Sequence, residues 1–270
     1  MPNYICTTCG VQYAESDGYP VEVCTICADD RQYVRASGQG WTTLDELRHK
    51  HHNEIRTVEP NLTGIATVPG FTISQRPLLI QTAEGNVLWD CISLLDDVTI
   101  AALNALGGVD AIAISHPHFY DTMVEWSRAF HDAPIYLHRD NEPWVMRPDK
   151  SIVYWEDDTH TLLPGITLIR CGGHFPGSSV LHWADGADGK GVLMTGDTIM
   201  VVADPQWVTF MYSYPNSIPL NKAAVQRIAD AVKPYAFDRL YSGWWDKVVP
   251  HNAADVVQRS AERYIKAISD

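Results

Sequence analysis

Apolar positions along this chain come in short runs broken by Gly and Pro. "GIATVPGFTIS" (64–74) and "PLLIQTAEGNVLWDC" (77–91) alternate and predict several short strands with turns. "SLLDDVTIAALNAL" has helical spacing and closes at Gly107 and Gly108. "VDAIAIS" is a short apolar strand ending at Ser115, and "TMVEWSRAF" (122–130) is helical again. The alternation continues with strands in "APIYLH", "ITLIRCGG", "SSVLHWAD" and "GVLMTGD", the last ending at Asp197. "NKAAVQRIADAV" predicts a helix, "FDRLYSGW" a strand and loop, and "AADVVQRSAERYIKAI" a closing helix. Many strands with a few amphipathic helices exclude an all-helical bundle, and a sheet core with helices outside it is the simplest layering.

The first forty residues follow a different logic. Cys6, Cys9, Cys24 and Cys27 form two CxxC knuckles, the spacing of a four-thiolate structural zinc site. Disulfides suit a reducing compartment poorly, and iron competes for the same tetrahedral thiolates. So short a segment buries little core, so its metal supplies folding energy. The expectation is a zinc ribbon over 1–40 with rubredoxin-like knuckles, able to dock a protein partner. A linker with a short helix over 41–57 follows, capped by Thr42 or Thr43, then a large domain over 58–270. "LRHKHHNEIR" (47–56), the basic cluster of the chain, reads as solvated linker.

The formal charge of −13 argues against nucleic acid as a partner, since a phosphate backbone needs a basic surface. The opening "MPNYICTTCG" lacks a basic start followed by an apolar run, and no window has the roughly 18 apolar residues of a membrane span. The expectation is a cytoplasmic protein with a small-molecule substrate and no membrane contact.

Candidate chemistry sits where predicted strands end. "SHPHFYD" places His116 and His118 two apart on a loop between a strand and a helix, where layered α/β domains bind ligands. His174 follows a strand in "CGGHFPGSS", and Asp197 ends another in "MTGDTIM". Two imidazoles on a tight loop and a third from a neighbouring loop can hold one ion, with a fourth position for water and Asp197 beside it. Gly172 and Gly173 let the backbone come close, and 177–179 form the turn beyond. His182 in an alternating strand and Cys91 at a strand end read as buried structural residues.

These residues resemble the metallo-β-lactamase superfamily over about 58–270. The resemblance implies a four-layer αββα sandwich of mixed α/β (α+β) class. It also implies a signature of HxHxDH, a lone His in a GHTPGS-like stretch, an Asp ending a later strand, and a final His. His116, His118, His174 and Asp197 match, and Asp90 in "LWDC" resembles the family's early strand-end aspartate. Tyr120 stands at the family's Asp position and Asp121 at its His position. Near "YSGWW" there is no histidine, and His251 is the nearest candidate. The resemblance therefore implies one pocket metal rather than two: zinc, with iron or manganese as competitors. It implies a hydrolase of a small ester, thioester or similar substrate working through a metal-bound water. Asp121 or Asp197 would act as base and Tyr120 as hydrogen-bond donor to the intermediate. A catalytically degenerate binding or regulatory protein of the same fold is the alternative. Trp244 and Trp245 either line the pocket or fill core. The stretch from Ile199 to Ser217, with Pro205, Trp207, Phe210, Tyr212 and Tyr214, is either a lid or a packed connector.

Overall fold

A computed structural model describes residues 1–269. Two compact units make up the chain, residues 1–137 with 142–154, and residues 138–141 with 155–270.

The first unit begins with the ribbon. β1 (Ile5–Cys6) pairs antiparallel with β2 (Trp41–Thr42), so Cys6 lies opposite Trp41. α1 (Leu44–Arg48) starts where Thr43 accepts the Glu46 N–H at 3.3 Å, the cap expected there. Leu47 of α1 joins Ile5 and Leu94 in a small apolar cluster that fastens the ribbon down. β3 (His52–Glu59) follows, so 41–57 is structured: it carries β2, α1 and most of β3. Its polar residues fit an edge strand that is little buried on either face.

β3, β4 (Leu62–Val68), β5 (Leu78–Thr82), β6 (Gly85–Trp89), β7 (Ala111–Ala113), β8 (Ile135–His138) and β9 (Ile152–Trp155) form a seven-stranded sheet in sequence order. β3 to β6 run as an antiparallel meander, while β6, β7 and β8 are parallel. Parallel neighbours need crossovers. They are α2 (Asp97–Ala105), capped by Asp96 at 2.7 Å to Thr99 N, and α3 (Met123–Ala129). The central strands are buried on both faces, Asn86–Trp89 and Ala111–Ala113 without a break, as parallel strands require. Alternation is therefore lost there. β6 and β7 end level with each other, Trp89 opposite Ala113. Asp90 and the histidine loop consequently leave the sheet side by side.

The second unit holds a six-stranded sheet in the order β10 (Thr159–Leu163), β11 (Ile166–Arg170), β12 (Ser179–Trp183), β13 (Val192–Gly196), β18 (Arg239–Ser242), β19 (Val248–Val249). β10 to β13 are antiparallel, and β18 joins β13 in parallel. α4 (Gly186–Gly189) is a single tight turn with Ala187 and Asp188 at positive φ. Four short strands, β14 (Met200–Val201), β15 (Val208–Thr209), β16 (Met211–Ser213) and β17 (Ile218–Pro219), make two small ribbons. α5 (Lys222–Val232) and α6 (Ala253–Ala267) bury Val225, Ile228, Val232, Val256, Val257 and Ala261 against Ile169, Val180, Leu193 and Leu240. No helix among the described residues is long and apolar enough to cross a membrane.

Candidate functional site

The ribbon brings all four cysteines together, each buried, with their Sγ atoms within 4.8 Å of one another. Cys6 Sγ lies 3.6 Å from Cys27 Sγ, and Cys9 Sγ 3.6 Å from Cys24 Sγ. Sulfurs ~2.3 Å from one tetrahedral ion stand ~3.8 Å apart, so the quartet fits a metal. All four are free thiols, and donors aim at the sulfurs. Gln39 Nε2 reaches Cys6 Sγ at 3.2 Å, Thr8 N reaches it at 3.4 Å, and the Tyr13 hydroxyl meets Cys24 Sγ at 3.5 Å. Such donors stabilise thiolate charge.

The second cluster is His116, His118, His174 and Asp197. Each is buried and offers one ligand atom, and these atoms lie within 4.8 Å of one another. The first two come from the loop after β7, where Pro117–Phe119 form one 3-10 turn. Asp90 accepts the Ser115 N–H at 2.8 Å, which ties the start of that loop to the end of β6. Ser115 Oγ lies 3.0 Å from His116 Nδ1. The tautomer that binds an ion through Nε2 carries its proton on Nδ1, where Ser115 Oγ accepts it. His174 is held in the same manner: its Nδ1–H donates to Tyr212 O at 2.8 Å and Met211 O at 3.2 Å. Its Nε2 stands 3.9 Å from Asp197 Oδ1. Two donors ~2.2 Å from one ion reach at most ~4.4 Å apart, so this pair fits a shared ion. Burial raises the Asp197 carboxyl to about 7, and the Tyr214 hydroxyl donates to its backbone carbonyl at 2.7 Å. Three imidazoles and one carboxylate, all out of water, form a donor set suited to a divalent metal.

No family model matches the chain. The uncharacterized protein YmaE of Bacillus subtilis (strain 168) is 52% identical over 271 residues, covering 100% of this chain and 98% of that one. The chain belongs to the YmaE family. Among solved structures, VMB-1 matches with a TM-score of 0.60 at 12% identity over 81% of this chain and 99% of its own. The metallo-β-lactamase DIM-1 gives 0.59 at 16% over 80% and 98%. The metallo-β-lactamase SMB-1, in a complex with mercaptoacetic acid, gives 0.54 at 15% over 79% and 96%. At these identities the likeness is one of fold: this YmaE-family chain has the metallo-β-lactamase fold, with a four-cysteine cluster at its N-terminal end.

The remaining expected site residues lie elsewhere. Asp121 is outside the donor cluster. Its carboxyl meets Ser93 Oγ and Gln75 Nε2 instead, the latter at 2.5 Å, and burial pushes its pKa well above the ordinary carboxylate range. Tyr120 is buried and lines a water-sized cavity of about 10 Å³ with Val11, Gln12, Met146 and Arg147. Burial drives its phenol pKa up as well, so it is neutral. His251 is exposed and pairs with Asp238 at 3.3 Å. His182 donates Nε2–H to Ala236 O at 2.8 Å, a structural role. Cys91 and Cys171 are fully buried thiols, and burial pushes Cys171 up to about 12. Trp244 and Trp245 are half-buried in the turn between β18 and β19.

The stretch from Ile199 to Ser217 is anchored at several points, with 203–206 and 215–217 exposed between and beyond them. Phe210 is fully buried, Arg259 and Arg263 cover the Trp207 ring at 5.0 and 4.2 Å, and Tyr212 and Tyr214 support His174 and Asp197. Sequence reading missed Ser115, Met211, Tyr212 and Tyr214 as supports. Ser115 directly precedes the histidine motif, which was a usable signal. The carbonyl contacts carry none, because any residue supplies a carbonyl.

Proposed function

We propose that the protein is a metal-dependent hydrolase of small esters, thioesters or similar acyl compounds. One ion would be held by His116, His118, His174 and Asp197. The observation that carries this reading is the donor set itself: three imidazoles and one carboxylate, buried, with ligand atoms within 4.8 Å. Zinc suits such a set, with iron and manganese as competitors, and zinc suits the thiolate ribbon. When bound there, the ion supplies Lewis acidity, activating water and polarising an acyl oxygen.

The chain's own residues do the rest. Ser115, Met211 and Tyr212 fix the ring orientations of His116 and His174. Asp197 Oδ1 lies 3.9 Å from His174 Nε2, and this carboxylate would be the group to accept a proton from a water activated at the site. It is buried beside the imidazole donors, where it would stay ionised opposite a bound cation and lie within reach of a water held there. Asp121 and Tyr120 contribute by shaping the histidine loop, since both are engaged in packing beside it.

The test is turnover of a panel of aryl esters and acyl thioesters by purified protein. Hydrolysis that is lost on chelation, restored by added metal and absent in His116→Ala supports the reading. Hydrolysis unchanged by chelation and by His116→Ala contradicts it, and no hydrolysis with a fully loaded pocket contradicts it in favour of a binding protein of this fold.

A further inference from the structure

We propose that the four-cysteine ribbon is a positioning element for the metal-binding histidine loop, acting through Gly10 and Asp121. The inference rests on the reading of His116 and His118 as metal donors, and it assigns the ribbon a task inside the protein.

Gly10 directly follows Cys9 and has two connections. Its N–H donates to Cys6 O at 2.9 Å, closing the first knuckle. Its carbonyl accepts the Ser93 hydroxyl at 3.2 Å, and Ser93 Oγ also contacts Asp121 Oδ1. Only one residue therefore separates the thiolate knuckle from the polar network under the histidine loop. The fit leaves no room for a side chain. Gly10 has φ +85°, and a Cβ there would collide with Asp121 Oδ1 and stand 2.7 Å from Ser93 Oγ.

Asp121 lies three residues beyond His118, where the loop turns into α3. Its φ of 42° is a left-handed conformation that residues with a side chain adopt only at a penalty. Such a backbone persists where its surroundings over-determine it. The surroundings here are of two kinds: Ser93 and Gln75 of the sheet domain meet its carboxyl, and the ribbon holds its backbone. Gln12 N–H donates to Asp121 O at 3.0 Å, and Ala14 N–H donates to Met146 O at 3.2 Å. Arg147 bridges Gln12 Oε1 and Glu125 Oε1, the latter at 2.6 Å, so the first turn of α3 is gripped too. Ser93 has one hydroxyl proton and two acceptors, the Gly10 carbonyl and the Asp121 carboxyl. A neutral Asp121 acid satisfies all three groups, and its burial favours that form.

The position that resembles a metal ligand of the family is thus a pin between ribbon and loop. Asp121 and Gly10 are positioning residues: they stand outside the donor group and act through the backbone that carries His116 and His118.

The experiment is a cobalt(II) titration of the full-length protein. Thiolate-to-cobalt charge-transfer bands report the ribbon ion, and weaker ligand-field bands report the imidazole–carboxylate ion. Gly10→Ala keeps four cysteines, so the thiolate bands stay while pocket affinity falls by about 10- to 100-fold, the size of outer-sphere effects on metal sites. Asp121→Ala weakens the pocket comparably, and Asp121→Asn, which keeps the hydrogen-bonding shape, restores affinity to within about threefold. Cys9→Ser removes the thiolate bands and weakens the pocket together. Where that chain fails to fold by circular dichroism, the Gly10 and Asp121 variants decide. Pocket affinity within about twofold of the parent in Gly10→Ala and Asp121→Ala overturns the inference. A parent protein with no pocket bands overturns both this inference and the metal-centre reading, and it does so before any variant is made.

Discussion

Gln12 and Asp121 are joined backbone to backbone, the N–H of one donating to the carbonyl of the other at 3.0 Å. This bond links the ribbon to the loop that carries two of the four pocket donors. It makes Asp121, which by family resemblance belongs among the ligands, part of the scaffold.

Asp121 predicts a pH signature. Burial raises its folded pKa well above that of the unfolded chain, so the folded state holds a proton that the unfolded state releases. Stability from this group is present below the unfolded value and is lost as pH rises towards the folded one. Asp121→Asn needs no proton. Its stability relative to the parent should therefore increase from about pH 5 to about pH 8 in urea unfolding. A difference that stays flat with pH contradicts a neutral buried acid.

His182 predicts the opposite slope. Burial lowers its folded pKa, and its Nε2–H is committed to Ala236 O at 2.8 Å. As pH falls through the unfolded value of about 6.5, the unfolded chain takes up a proton first and stability drops. His182→Gln should flatten that acid limb, compared by denaturation midpoints between about pH 7 and about pH 5. An unchanged limb contradicts the assignment.

Tyr214→Phe isolates one support of the pocket. The hydroxyl donates to Asp197 O at 2.7 Å, and its loss frees the strand end that presents the carboxylate. Pocket metal affinity should fall by about tenfold while the ribbon ion is unaffected. Equal weakening of both ions would point to general destabilisation.

Trp126 tests the packing beneath the histidine loop. Its ring is fully buried and its indole N–H donates to Ile92 O at 2.9 Å. Trp126→Phe removes that bond and some volume, and should cost about 1–2 kcal/mol in chemical denaturation. The Thr122 hydroxyl lies between this carbonyl at 3.2 Å and Ser93 O at 3.0 Å, so it can turn to the carbonyl that the indole leaves, which keeps the penalty moderate.

Much of this architecture was legible in the sequence because its signals are local. Short apolar runs broken by Gly and Pro marked β5 and β6, paired glycines marked the end of α2, and the knuckles marked the ribbon. His116, His118, His174 and Asp197 each follow an apolar strand, and that joint placement makes them candidate loop ligands. What stayed hidden is non-local or carries no side-chain signature. β3 is polar on both faces, so it resembles solvated linker until β4 pairs with it. β14 to β17 are two or three residues long, below any periodicity. The role of Asp121 depends on Gly10, Gln12 and Ser93, which are distant in sequence, and a family motif alone assigns it to the wrong neighbours. His174 rests on two backbone carbonyls, and no residue type announces those.

The most direct test of the central claim is the metal content of the purified chain, set beside that of His116→Ala. The account predicts two ions in the parent, one per donor cluster. It predicts one in the variant, with the thiolate-bound ion retained and the imidazole–carboxylate ion lost. A parent holding the ribbon ion alone, or a variant whose content equals the parent's, would contradict it.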